Sequence, residues 1–247
     1  MGRAILLILT LGLAAGFGAS AITAEEIVAN VERNEINEAE RIEGSMTISD
    51  RFGSRRKTFV SYASGSDKML LEFTNPEERG QKILRLEDEI YLYFPEAEEV
   101  IHLQGSALKE SVMGSDFSYE DMTERATKMR EEYTGEIKGE ELLNGRNCFV
   151  LTLTSKIAKQ TYFTRKIWVD KERFIGMKEE LYAKSGKLLK VLTVDNIESF
   201  KNRYYPTKIT MEDKLRKNSS TQMILKKIDF DVTIPPGTFS ERRLMKK

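Results

Sequence analysis

The chain has 247 residues, with 39 Lys plus Arg balanced by 39 Asp plus Glu, and it contains one histidine and one cysteine. Interspersed charges that sum to zero give no overall field toward nucleic acid, so no nucleic-acid partner is expected. A single cysteine excludes an internal disulfide, and a single histidine excludes a histidine-rich zinc site or a histidine-pair proton relay.

Arg3 is followed by an unbroken run of apolar and small residues from Ala4 to Phe17, and then by the small-residue sites Ala19-Ser20-Ala21 and Ile22-Thr23-Ala24. This is the layout of a secretory signal, cleaved near Ala21 or Ala24, and it divides the chain into a signal over 1–24 and one domain over 25–247. The run is shorter than the roughly 20 apolar residues of a membrane-spanning helix. A lipid-anchored exported protein carries a cysteine directly after such a run, whereas Cys148 lies far downstream. The mature chain is therefore expected to be exported, soluble and unanchored. Its roughly 220 residues suffice to bury about 70% of the chain's surface without staples.

Thr23 and Glu26 form a capping box, and Ile27, Val28 and Val31 give the following helix one apolar face. After residue 40 the period becomes two. Ser45–Ser49, Lys68–Phe73 and Lys82–Leu86 read as strands. So do the second-half runs built on Phe149, Leu151 and Leu153, on Ile167 and Val169, on Leu192 and Val194, on Ile209 and Met211, and on Ile224, Ile228 and Phe230. About ten such runs are joined by local turns such as Asn144-Gly145 and Lys184-Ser185-Gly186, which pairs neighbours antiparallel. No long helices alternate with the strands, which excludes a parallel α/β fold. The pattern breaks from Gly105 to Glu132, where two short helical stretches flank Met113–Met122. One sheet with inserted helices over its apolar face accounts for this arrangement.

The chemistry of catalysis is missing. There is no Gly-x-Ser-x-Gly elbow and no phosphate-cradling glycine loop, so no catalytic residue, metal or cofactor is expected. His102 reads as a surface residue beside a strand end, and Cys148, inside Asn147–Leu151, as a small buried hydrophobe. Asp116, Glu120 and Asp121 fit helix capping better than calcium binding. Arg51, Arg55, Arg56 and Lys57 surround a hairpin tip, and Arg242, Arg243, Lys246 and Lys247 crowd the C-terminus. Both groups read as solvated charge, with anionic lipid headgroups as the alternative.

Three stretches carry a family likeness. Leu70–Pro76, Ile83–Leu86 and Ile90–Pro95 are followed by Gly105-Ser106 and by Met-Gly-Ser-Asp-Phe-Ser-Tyr-Glu-Asp at 113–121, and Phe230–Gly237 closes the pattern. Over roughly residues 25 to 240 the chain resembles the LolA-like outer-membrane lipoprotein-sorting proteins, which share their fold with LolB and RseB. The resemblance implies a mainly β (α+β) fold, a single curved antiparallel sheet forming an unclosed half-barrel of about eleven strands with helices over the concave face. It implies a periplasmic, monomeric carrier for acylated lipoprotein or lipid, served by an inner-membrane transporter and an outer-membrane acceptor. An RseB-like sensor or adaptor that binds a partner protein is the alternative. In the carrier reading the cavity is lined by Met69, Leu71, Phe73, Leu84, Leu86, Leu92 and Phe94, with Met113, Phe117 and Tyr119 at a lid. The chain departs from LolA at 63–66, where Ala-Ser-Gly-Ser stands in place of a basic residue before the third strand.

Overall fold

The computed structural model describes residues 22–35, 38–123, 126–200 and 203–246. All but the last three residues of the expected export signal lie outside the described residues.

Helix α1 (Ala24–Glu35) begins as its sequence dictates. The Glu26 amide donates to Thr23 Oγ1 at 3.2 Å, and the Thr23 amide donates to the Glu26 carboxylate at 2.8 Å. The reciprocal pair satisfies amides that a helix start leaves open. Ile27, Val28 and Val31 are buried on its inner face.

Six strands follow: β1 (Glu40–Asp50), β2 (Gly53–Ser64), β3 (Lys68–Phe73), β4 (Lys82–Leu86), β5 (Glu89–Phe94) and β6 (Glu99–Leu103). Residues 104–132 then form short turns and two helices, α2 (Tyr119–Thr123) and α3 (Ala126–Glu132). Seven more strands complete the sheet: β7 (Tyr133–Leu143), β8 (Arg146–Ser155), β9 (Thr164–Asp170), β10 (Gly176–Tyr182), β11 (Leu188–Phe200), β12 (Arg203–Asp213) and β13 (Ser220–Phe230). A last turn of helix, α4 (Glu241–Leu244), ends the description.

All thirteen strands belong to one antiparallel sheet, in the order β6-β5-β4-β3-β2-β1-β13-β12-β11-β10-β9-β8-β7. The first and last strands therefore pair in mid-sheet, and the free edges are β6 and β7. The thirteen strands exceed the ten or eleven expected. Most of β7 is exposed, and it carries Glu136, Lys138, Glu140 and Glu141, which blunts the edge against further pairing and also obscures the strand in a search for apolar alternation.

The order of strands also decides where residues 104–132 run. They leave one edge of the sheet and must enter the other, so they cross the concave side. The sheet stays open because β6 and β7 do not pair.

Curvature has a local cause at Gly44. The β1–β13 register shifts between Glu43 and Gly44, and a Cβ at position 44 would stand 2.6 Å from Phe59 Cζ. A bulge with a side-chain-free position lets the sheet bend and Phe59 lie over the backbone.

Two apolar clusters fill the concave side. One joins Ile42, Met46, Ile48, Phe59, Leu71, Phe73, Ile83 and Leu92 to Val112 and Tyr119 of the crossing segment. The other joins α1 to Phe149, Leu151, Leu153, Ile167 and Val169. The convex side is also covered near β3–β5, where Leu70, Leu84 and Tyr93 pack under Leu244 of α4, with Leu86 alongside. Lys82 fastens this end by donating to the Leu244 carbonyl at 3.1 Å and the Lys246 carbonyl at 2.6 Å, and burial lowers its pKa.

Candidate functional site

A cavity of about 510 Å³ lies on the concave side, beneath the crossing segment and α1. That is more than ten times the ~30 Å³ share of one liquid water and within the ~300–1,000 Å³ range of ligand pockets. Its floor is built from inward positions of strands far apart in sequence: Met46 and Phe59, Leu71 and Phe73, Ile167 and Val169, Leu192 and Val194, Ile209, and Met223 and Leu225. Its roof combines Val28 and Val31 of α1 with Val112, Phe117, Met122 and Met129 of the crossing segment. Methionine suits such a surface because its unbranched thioether adapts to ligand shape.

The roof over β11–β13 is pinned by the 113–121 motif. Met113, with φ 52°, and Gly114, with φ 75°, turn the chain sharply, and a Cβ on Gly114 would stand 3.6 Å from an Arg55 nitrogen. Arg216 donates to the Ser115 carbonyl at 2.7 Å and the Gly114 carbonyl at 3.1 Å. Asp116, only 2% exposed, accepts from the Asp213 amide at 3.2 Å and the Thr221 hydroxyl at 2.6 Å, and its own amide donates to Thr221 Oγ1 at 2.9 Å. Asp116 is thus a tertiary link. Capping of α2 falls to Ser118 and Asp121, whose amides donate to each other's side chains at 2.7 and 3.3 Å. Asp121 also receives Lys190 and Tyr162, each at 2.6 Å, and Glu120 receives Thr161 at 2.8 Å.

The acidic groups on the inner wall are therefore engaged with protein partners, Glu179 being paired with Arg165. Among the described residues no group of His, Cys, Asp and Glu is placed to hold a metal ion. His102 stacks on Tyr91 at 4.5 Å between ring centroids, on edge strand β6 and outside the cavity. Cys148 is fully buried on the convex side with Val150, Trp168 and Met177, and burial, reinforced by Asp170, pushes its thiol up to about 11. Burial likewise raises the Tyr119 phenol. What the arrangement offers chemically is an adaptable apolar volume under a polar-fastened cover.

Of the ten residues expected at the cavity, Met69, Leu71, Phe73 and Phe117 line it. Leu92, Phe94, Met113 and Tyr119 pack in the adjoining apolar cluster, one layer away from the open space. Leu84 and Leu86 require correction. Leu71 pairs with Ile83 and Leu70 with Leu84, so β4 turns Ile83 and Arg85 inward and Leu84 and Leu86 outward, beneath α4. The physical reason is that α4 covers the convex face here, so an apolar side chain does not mark the concave one. Sequence reasoning missed the walls from α1, β1, β9 and β11–β13. Their signal was present in the alternation of Leu192 with Val194 and in the helical face of Val28 and Val31.

A single unclosed antiparallel sheet curved around an apolar cavity, with helices over its concave side, is the LolA-like fold. The family whose model matches, described as "Uncharacterized protein", is matched over residues 65–246, and the chain belongs to it. No curated protein matches the chain. The fold is shared by solved structures, among them these three. A DUF1329 family protein from Desulfovibrio piger superposes with a TM-score of 0.83 at 23% identity, covering 90% of this chain and 97% of its own. A protein domain from Vibrio parahaemolyticus, named for outer membrane lipoprotein sorting, gives 0.80 at 22% identity, covering 90% and 98%. A LolA superfamily protein from Nitrosomonas europaea gives 0.74 at 22% identity, covering 90% and 100%. Among the described residues no helix is long and apolar enough to cross a membrane.

Proposed function

We propose that this chain is exported and acts in the periplasm as a non-enzymatic carrier, holding acyl chains of lipidated protein or lipid in the half-barrel cavity. The observation that carries this reading is the apolar volume of about 510 Å³ under a cover held by hydrogen bonds, in a LolA-like fold. Well-packed interiors leave few voids larger than a water. An acyl chain needs such a shelter: at ~0.8 kcal/mol per methylene, exposing ~14 carbons to water costs about 11 kcal/mol. A name for lipoprotein sorting on one protein of the same fold supports the choice of cargo.

Helix α1 supports one of the two expected cleavage sites over the other. Cleavage after Ala21 leaves Thr23 and its reciprocal bonds to Glu26 in place, whereas cleavage after Ala24 removes both the cap and a buried residue. The mature domain in this reading starts at Ile22.

The test is the content of the cavity. Protein purified from cells that make it naturally is extracted and its lipids weighed by mass spectrometry; acyl-containing ligand is expected in amounts comparable to the protein. None above the level on a non-binding control sinks the carrier reading. In a second measurement, Leu192→Glu places a carboxylate in the half-buried lining and is expected to weaken anilinonaphthalene-dye binding by about tenfold, some 1.4 kcal/mol. Unchanged dye affinity in a folded variant would show that the dye and this cavity are unrelated.

A further inference from the structure

The turns of the sheet are unequal in charge. Register places four of them side by side at one end: Asp50 pairs with Gly53, Ser49 with Ser220, Asp213 with Lys190, and Tyr182 with both Leu188 and Thr164. The β1–β2 turn there carries Arg51, the β12–β13 turn Lys214, Arg216 and Lys217, the β10–β11 turn Lys184 and Lys187, and the β8–β9 turn Lys156 and Lys159. None of the four holds an Asp or Glu, in a chain whose charges cancel. The bias stops at β2. The next two turns at that end, 74–81 and 95–98, hold Glu77, Glu78, Glu96 and Glu98 against Arg79 alone.

The same turns expose large apolar side chains. Phe52 is 80% exposed, Leu215 56% and Ile157 42%. Cations flank each of them: Arg51 lies 4.5 Å over the Phe52 ring, Leu215 sits between Lys214 and Arg216, and Ile157 follows Lys156. Bare apolar tips inside a cationic belt serve no packing purpose in the fold. They match an interface that is anionic at its surface and apolar just beneath it.

We infer that this end of the half-barrel docks on an anionic phospholipid bilayer, with the cations on headgroup phosphates and Phe52 and Leu215 entering the acyl boundary. Arg216 belongs to this belt and also holds the Gly114 and Ser115 carbonyls, so docking brings the cavity's cover against the bilayer. The inference stands on the turns alone, and its test needs no cargo.

The chain from Ile22 on, which contains every element of the sheet and its helices, is floated with vesicles of phosphatidylcholine alone or with about a third phosphatidylglycerol. Salt is set at about 0.1 M or about 1 M, where the Debye length is ~10 or ~3 Å. Binding is expected to be at least about tenfold stronger on the anionic vesicles at low salt and to vanish at high salt. Reversing Lys159, Lys187 and Lys217 to Glu together is expected to lower it about tenfold. The same three reversals at Lys138, Arg203 and Arg242, outside these turns, keep most of it. Phe52→Ser with Leu215→Ser, at exposed positions, is expected to weaken binding several-fold. Equal binding to neutral vesicles, no vesicle binding, or equal losses in the two triple variants overturns the inference. Binding of polyglutamate without vesicles also overturns it and assigns the belt to an acidic protein.

Discussion

The two pieces that roof the cavity differ in the balance of apolar and directional contacts that hold them. Helix α1 lies on β8 and β9 mainly through apolar contact, with Ile27, Val28 and Val31 against Leu151, Leu153, Ile167 and Val169, and only its last turns add directional bonds, Glu32 to Arg130 and Asn34 to the Arg173 and Phe174 carbonyls. The 113–121 stretch packs Phe117 and Tyr119 against the apolar cluster but is fastened to β11–β13 by directional bonds, through Asp116, Arg216 and the Asp121–Lys190 pair. Apolar burial has no exchange partner in water, so separating α1 costs its full transfer free energy. A hydrogen bond released at a surface is replaced by one to water, at a net of about 1 kcal/mol. The difference predicts that the crossing segment is the side that opens and α1 the fixed wall.

The largest effect expected is at the wall. Ile27 is fully buried, and Ile27→Ala should cost about 2–4 kcal/mol, lowering Tm by about 8 °C for a chain of this size. A fall of less than about 2 °C in a calorimetric scan would remove α1 from the role of fixed wall. A smaller effect belongs to Asp116→Ala, which leaves the Asp213 amide and the Thr221 hydroxyl without their acceptor, at about 1–3 kcal/mol. Hydrogen exchange should accelerate over 113–121 and stay slow over α1; equal acceleration in both would erase the contrast. The smallest effect on stability is at half-buried Arg216. Arg216→Gln is expected to cost under about 1 kcal/mol while raising the rate of dye entry several-fold in stopped-flow. An unchanged rate would show that ligand enters elsewhere.

Much of the fold was legible. The capping box of α1, the change to two-residue alternation after residue 40 and the interruption from Gly105 to Glu132 are local signals, and each corresponds to an element. Other features depended on partners far away. Asp116 looks like a capping residue until its bonds to Asp213 and Thr221, 97 and 105 residues distant, are seen. Edge strand β7, with Glu136, Lys138, Glu140 and Glu141 among its eleven residues, carries little apolar alternation to be read from sequence. In β4, alternation separates Ile83 and Arg85 from Leu84 and Leu86, but it does not say which pair faces in. That choice was made by α4 and Leu244, which cover the convex side.

By itself the sequence determined the class of fold, because alternation and short turns admit only an antiparallel sheet, and because one long interruption has to supply its cover. It also determined that the chain has one histidine and one cysteine, and so neither a histidine pair nor an internal disulfide, since those are a matter of residue count. Only the tertiary structure decided that β1 and β13 meet in mid-sheet, that the crossing segment consequently spans the concavity, and which side of each strand faces the open volume. The reason is geometric. A cavity is bounded by side chains that converge from many strands, and their convergence depends on the order and curvature of the sheet, which no short window of sequence contains.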